Sequence, residues 1–267
     1  MAQPLMNEDP PYLLRRDENG VATLTLNRGD RLNPLSQAMM DVLQHEINAI
    51  AADIRVRVVV LAGEGKAFCA GHDLKQMRAT PSLDYYQQLF KQCSQLMLSL
   101  QKIPQPVIAR VHGLATAAGC QLVATCDLAV ASTEARFAAS GVNYGLFCST
   151  PAVALSRNVL RKQAMEMLLT GDFIDAHEAQ ARGLVNRVVA PEALDEEIAR
   201  LTASIIAKPA VAIAMGKQMF YRQDEMGLAA AYQLAGETMA CNMMDDCALE
   251  GVQAFIDKRT PSWRSKP

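Results

Sequence analysis

No aspartate or glutamate stands between Glu134 and Glu166. A stretch without carboxylates offers nothing of that kind to move protons. Excess charge is lacking too: the formal net charge is −2 over 267 residues. That balance gives no polyanion-binding surface and argues against nucleic acid as a main partner. There is no CxxC pair. The seven cysteines are odd in number and sit mostly in apolar runs, the pattern of buried, reduced thiols in a cytosolic protein. The four histidines show no metal-ligand spacing, so no metal and no tightly held cofactor is expected. No apolar run reaches the ~20 residues of a membrane span, so no membrane partner is expected. Met1 to Pro11 carries Glu8 and Asp9 and no apolar core. It reads as neither a signal peptide nor an arginine-rich transit sequence. The expectation is a soluble, cytoplasmic protein.

What is present is ordered. Residues 12–16 and 21–26 alternate around Asn19-Gly20, a hairpin signal. Ser36 is positioned to cap a helix carrying Met39, Met40, Leu43 and Ile47 at helical spacing. Residues 56–61, 106–111 and 128–131 read as buried strands, and residues 82–100 and 117–125 as helices. From Pro151 onward helical patterns dominate, over residues 151–158, 162–170, 176–181, 191–206, 210–221, 228–242 and 246–256. Strands alternating with helices, then helices alone, predict an α/β fold with a largely parallel sheet and a helical C-terminal region.

Some apparent motifs fail on spacing. Gly63-Glu64-Gly65-Lys66 follows a strand, but a phosphate loop needs four residues between its glycines and Ser or Thr after the lysine. Here one residue separates them and Ala67 follows. Phe68 stands where a dinucleotide fingerprint needs its third glycine, and no Gly-x-Ser-x-Gly elbow occurs.

Two junctions rich in small residues remain: Lys66-Ala67-Phe68-Cys69-Ala70-Gly71-His72-Asp73-Leu74, and residues 112–121 ending Ala117-Ala118-Gly119-Cys120-Gln121. Each leads from a strand end into a helix, where ligands bind in open α/β sheets. Free N–H groups at a helix start carry partial positive charge. Two such groups aimed at one carbonyl form an oxyanion hole. The competing reading, that small residues merely permit close backbone packing, applies to either junction alone.

These junctions, with Leu26-Asn27-Arg28, Arg31-Leu32-Asn33-Pro34-Leu35, Cys126-Asp127, Leu169-Thr170-Gly171, Gly183-Leu184-Val185 and the tail Phe255 through Pro261, resemble the enoyl-CoA hydratase/isomerase, or crotonase, family over nearly the whole chain. The resemblance implies a crotonase (ClpP-like) spiral of ββα units in residues 1–200 and a helical trimerisation region in residues 201–267. It implies trimers or dimers of trimers, and a coenzyme A thioester as substrate or ligand. By position, His72 and Ala118 supply the oxyanion hole. Ala70, Asp73 and Leu74 border the adenine pocket. Arg28, Leu32 and Lys66 lie near the pantetheine or phosphates, and Lys258 reaches a phosphate.

The family's hydratases resemble one another in using two glutamates. Here the first position is Gln121 and the second is Gly141. Glutamine can orient water through its amide but accepts no proton at neutral pH, and glycine offers no side chain and leaves a small void. Asp73 is expected to cap a helix, the His72 side chain to point away from the ligand, and Tyr144 to pack in the core. Ser140, Asn143 and Ser149 flank the vacated second position. Two readings result: a crotonase-family enzyme with an altered proton relay that does not hydrate enoyl-CoA efficiently, and a non-catalytic acyl-CoA-binding or regulatory protein of fatty-acid metabolism.

Overall fold

A computed structural model describes residues 10–264 of the chain. Residues 1–9, on which the targeting expectation largely rested, lie outside the described residues. The chain opens with a hairpin of β1 (Leu13–Glu18) and β2 (Val21–Leu26). Leu13 pairs with Leu26 and Glu18 with Val21. Asn19 and Gly20 at its tip have φ of 51° and 80°, the left-handed pair that a two-residue turn needs. Helix α1 (Gln37–Ala51) starts at Ser36, whose hydroxyl accepts the Met39 N–H at 3.2 Å. It buries Met39, Met40, Leu43, Ile47 and Ile50, each contributing roughly 1.5–3 kcal/mol.

The chain continues through β3 (Val58–Gly63), β4 (Ala67–Cys69), α2 (Leu74–Ala79), α3 (Leu83–Lys102), β5 (Val107–Val111), β6 (Leu114–Thr116), α4 (Ala118–Thr125), β7 (Leu128–Ser132) and β8 (Arg136–Ala138). Then come α5 (Ser149–Asn158), α6 (Arg161–Thr170), β9 (Ile174–Asp175), α7 (Ala176–Ala181), β10 (Arg187–Val189) and α8 (Leu194–Ile206). The chain closes with α9 (Ala210–Gln223), α10 (Leu228–Met243) and α11 (Asp246–Ile256).

The strands form two sheets, ordered β1-β2-β3-β5-β7-β10 and β4-β6-β8-β9. All pairings are parallel except β1 with β2 and β8 with β9. The larger sheet is the one its apolar runs foretell. Its β3 is buried on both faces: Val58 and Val60 pack with Leu194 and Ile198 of α8, while Val59 and Leu61 face the main core. The smaller sheet was not expected, because its strands are only two or three residues long and carry no readable period.

Helix α9 is tied to the core by a buried ion pair. Lys217 Nζ donates to Asp127 Oδ2 at 2.6 Å and to the carbonyls of Leu100 and Gln105. Tyr221 donates to Asp127 Oδ1 at 2.8 Å. Burial lowers the Lys217 pKa, and burial beside Asp127 raises that of Tyr221. Beyond this anchor, Leu228, Tyr232 and Met239 of α10, Met244 just after it and Phe255 of α11 are exposed. Among the described residues, no single helix is long and apolar enough to cross a membrane.

Candidate functional site

Three adjacent parallel strands of the smaller sheet, β4, β6 and β8, end side by side. Neighbouring strands stand about 4.7–4.9 Å apart, so the loops leaving their C-terminal ends are neighbours too. The end of β4 delivers Ala70 through His72. The end of β6 delivers Thr116 through Ala118, and that of β8 delivers Ser140 and Gly141. The sequence reading placed both small-residue junctions after buried strands, which are β3 and β5 of the larger sheet; the structure adds a short strand within each junction, β4 and β6, and these belong to the second sheet. Apart from Gly71, the residues these strand ends deliver wall a cavity of about 470 Å³.

Glycine permits the convergence. A Cβ on Gly119 would stand 2.0 Å from the Cys69 carbonyl oxygen, so α4 lies directly against β4. A Cβ on Gly71 would meet the Ala117 Cβ at 3.0 Å and the Ala118 nitrogen at 3.2 Å. Ala117, the residue before α4, has φ 51° and ψ −119°, a conformation natural only to glycine and costing of order 1–3 kcal/mol in other residues. Its N–H is held by the Ala138 carbonyl at 2.9 Å. The twist starts α4 with the Ala118 N–H unpaired among the described residues. The His72 N–H likewise donates to no protein acceptor among the described residues. Both residues line the cavity.

The His72 side chain is engaged elsewhere. Its Nδ1 lies 3.2 Å from the Leu35 carbonyl and its ring meets Phe90 edge-on at 5.6 Å. Its Nε2 is buried without a partner. Burial pushes its pKa below the usual 6.5, so the ring is neutral. Asp73 accepts the N–H groups of Lys75 and Gln76 at 2.9 and 3.1 Å and caps α2.

The remaining walls are apolar and polar in turn. Leu74, Met77, Phe90, Leu114 and Phe173 form the apolar side. Thr116 and Ser140 are both buried, and their hydroxyls are 2.7 Å apart. Asn143 donates to the Gly171 carbonyl, and Ser149 Oγ to that of Phe147. Among the described residues, no aspartate, glutamate, lysine or arginine lines the cavity. Two expectations are corrected here. Tyr144 is not core: it is 75% exposed at the cavity rim, because the short helical turn over Ser140–Tyr144 ends in an αL glycine that carries its last residues outward. Gly141 leaves no void: a Cβ there would meet the Leu146 carbonyl oxygen at 2.5 Å and Cys148 Sγ at 2.8 Å. The Gly141 N–H donates to Cys148 Sγ at 3.3 Å. Burial raises the pKa of that thiol, so it stays protonated.

Of the other sequence-derived candidates, Ala70 and Leu74 line the cavity. Gln121 does not: it is buried one turn further along α4, with its side-chain carbonyl unpartnered. Leu32 accepts the Ala70 N–H through its carbonyl at 3.0 Å. Arg28 lies in a separate polar hollow, donating to the carbonyls of Pro10, Pro11 and Asn27 and stacking 3.8 Å over the Tyr12 ring. Lys66 and Lys258 are exposed and away from the cavity wall. Sequence reasoning missed Thr116, at the end of a strand too short to announce itself. It also gave no role to Asn33, which is fully buried at φ 51°. The Asn33 amide binds the Arg28 N–H and the carbonyls of Glu64 and Ala67, each at 2.8 Å. An asparagine beside an αL residue was the available signal.

Comparison with known proteins gives one family. A family model described as enoyl-CoA hydratase/isomerase matches residues 16–266. Enoyl-CoA hydratase domain-containing protein 3, mitochondrial, of Xenopus laevis is 46% identical, over 95% of this chain and 86% of its own. The Homo sapiens protein of that name is 43% identical, over 97% and 86%. A crystal structure of an enoyl-CoA hydratase from Mycobacterium smegmatis superposes with a TM-score of 0.94 at 63% identity, over 95% of this chain and 99% of that one. The fold is the expected α/β crotonase spiral with C-terminal helices. The cytoplasmic expectation is overturned: relatives at 43–46% identity are named mitochondrial. That expectation drew on the lack of a leader pattern in a few residues and on thiols of which Cys69, Cys93, Cys120, Cys126 and Cys148 are buried wherever the protein resides, while Cys241 is exposed.

Proposed function

The chain belongs to the enoyl-CoA hydratase/isomerase family, and from that premise we propose that its cavity grips and polarises an acyl-CoA thioester without efficiently hydrating it. One observation carries the reading. The unpaired N–H groups of His72 and Ala118 border a cavity that no carboxylate lines. Two such donors stabilise negative charge on a thioester oxygen, and each is typically worth roughly 10²–10³ in rate. Hydration also needs a group to take and return a proton, which contributes about 10²–10⁴ when well placed. Gln121 and Gly141 supply none, Asp73 is spent as a cap, and the His72 ring faces Leu35 and Phe90.

Around this centre, Ala70 and Leu74 border the pantetheine and adenine, with Leu32 and the Asp73 cap shaping the same loop. Lys66 and Lys258 supply charge for phosphates from the surface. Arg28 joins them only if its hold on Pro10 and Pro11 is released. The exposed apolar residues of α10 and α11 support assembly into trimers, singly or paired, with residues 201–267 as the helical region outside the core of residues 1–200. The absence of a charged base in the cavity equally favours a non-catalytic acyl-CoA-binding role, and turnover separates the two.

The test is hydration of crotonyl-CoA beside a two-glutamate member of the family, with butyryl-CoA binding measured on the same protein. Binding with background hydration is expected. A hydration rate matching the control refutes the reading.

A further inference from the structure

Most polar side chains in the cavity are already committed. Asn143 donates to Gly171, Ser149 to Phe147, and His72 Nδ1 contacts the Leu35 carbonyl. Thr116 and Ser140 differ. Each is more than nine-tenths buried, each lines the cavity, and among the described residues each hydroxyl has only the other as its partner. Two hydroxyls carry two protons, and their shared bond at 2.7 Å uses one. The second proton has no acceptor among the described residues. A buried donor without an acceptor is costly, and here it sits at a cavity wall beside the vacated second glutamate position.

We propose that the Thr116–Ser140 hydroxyl pair is a specificity element: it donates a hydrogen bond to an oxygen on the acyl chain, so that the site prefers an oxygen-bearing acyl thioester to the plain saturated one. The inference rests on the acyl-CoA reading above and deepens it. Adjacency of the strand ends supports it. Thr116 ends β6 and pairs with Ala138 of β8, so the hydroxyls stand next to the strand end that leads into Ala118. An acyl chain whose carbonyl meets Ala118 runs past them. An unsubstituted methylene there leaves the spare proton unpaired, whereas a hydroxyl or carbonyl oxygen accepts it.

Calorimetric titration of the full chain with butyryl-CoA and 3-hydroxybutyryl-CoA tests this. The wild type is expected to bind the hydroxylated thioester roughly three- to tenfold tighter, the net effect of one hydrogen bond. In the double variant Ser140→Ala, Thr116→Val the preference falls to unity. Replacing both partners by apolar groups of the same shape is nearly neutral for folding, so an unchanged urea midpoint reports an intact fold, and butyryl-CoA, no longer set against an unpaired donor, binds more tightly than to the wild type. Ser140→Ala alone is expected to reduce the preference partway. No preference in the wild type, or a preference that survives the double variant, overturns the proposal while leaving the thioester reading in place. Failure of the wild type to bind either thioester overturns both.

Discussion

Gly119 and the carbonyl of Cys69 are in direct backbone contact, with no room for a Cβ between α4 and β4. Gly119→Ala must therefore push the helix off the strand, and the His72 and Ala118 N–H groups move apart with it. The expected cost is about 1–3 kcal/mol of stability, as for other overpacked sites, with weaker butyryl-CoA binding. A urea midpoint and a binding constant both equal to wild type would falsify this account of the junction.

Restoring the two glutamates is not symmetrical. Gln121→Glu changes no shape. Gly141→Glu puts a side chain where the Leu146 carbonyl and Cys148 Sγ already stand. The double variant is expected to lose about 1–3 kcal/mol and to hydrate crotonyl-CoA no faster than Gln121→Glu alone. Adding Cys148→Ala should relieve part of the crowding and raise the rate. A full gain from the two glutamates without touching Cys148 would show that the loop yields freely.

Asp127 gathers three donors: the Val107 N–H, Lys217 Nζ and the Tyr221 hydroxyl. Removing it strands a buried ammonium, a loss of about 3–5 kcal/mol for a broken buried pair. Asp127→Ala is expected to unfold at lower denaturant and to expose α9 to limited proteolysis first. Wild-type resistance in that variant would mean that packing alone docks the helix.

Acid should destabilise the fold through two histidines. Burial lowers the pKa of both His72 and His112 below 6.5. As pH falls below that value the unfolded chain takes up protons that the folded chain refuses, so stability drops. The denaturant midpoint is expected to fall between about pH 7 and 5, less steeply in His112→Gln. A flat profile in the wild type over that interval contradicts the assignment.

The hairpin, the long helices and the buried strands of the larger sheet were legible because each spans enough residues to show a period. Ser36 and Asp73 were readable as caps for the same local reason. The smaller sheet was not, although it carries the site. Strands of two or three residues show no alternation, and their register is set by neighbours distant in sequence. His72 and Ala118 could be named only through resemblance and small-residue content. The Thr116–Ser140 contact joins the end of one such strand to the turn that follows another. The Arg28 contacts with Pro10, Pro11 and Tyr12 depend on where residues 10–12 lie, which no local pattern states.

The two donors at the cavity are main-chain atoms, and that sets an order in which this kind of site can decay. Any side-chain replacement at 72 or 118 that keeps the loop leaves the N–H in place, and only proline deletes it. A proton relay built from side chains has no such shelter, since one codon change removes it. Under drift the relay goes first and the grip on the carbonyl outlasts it. A lineage that sheds hydration thus inherits a working thioester clasp, open to a new reaction.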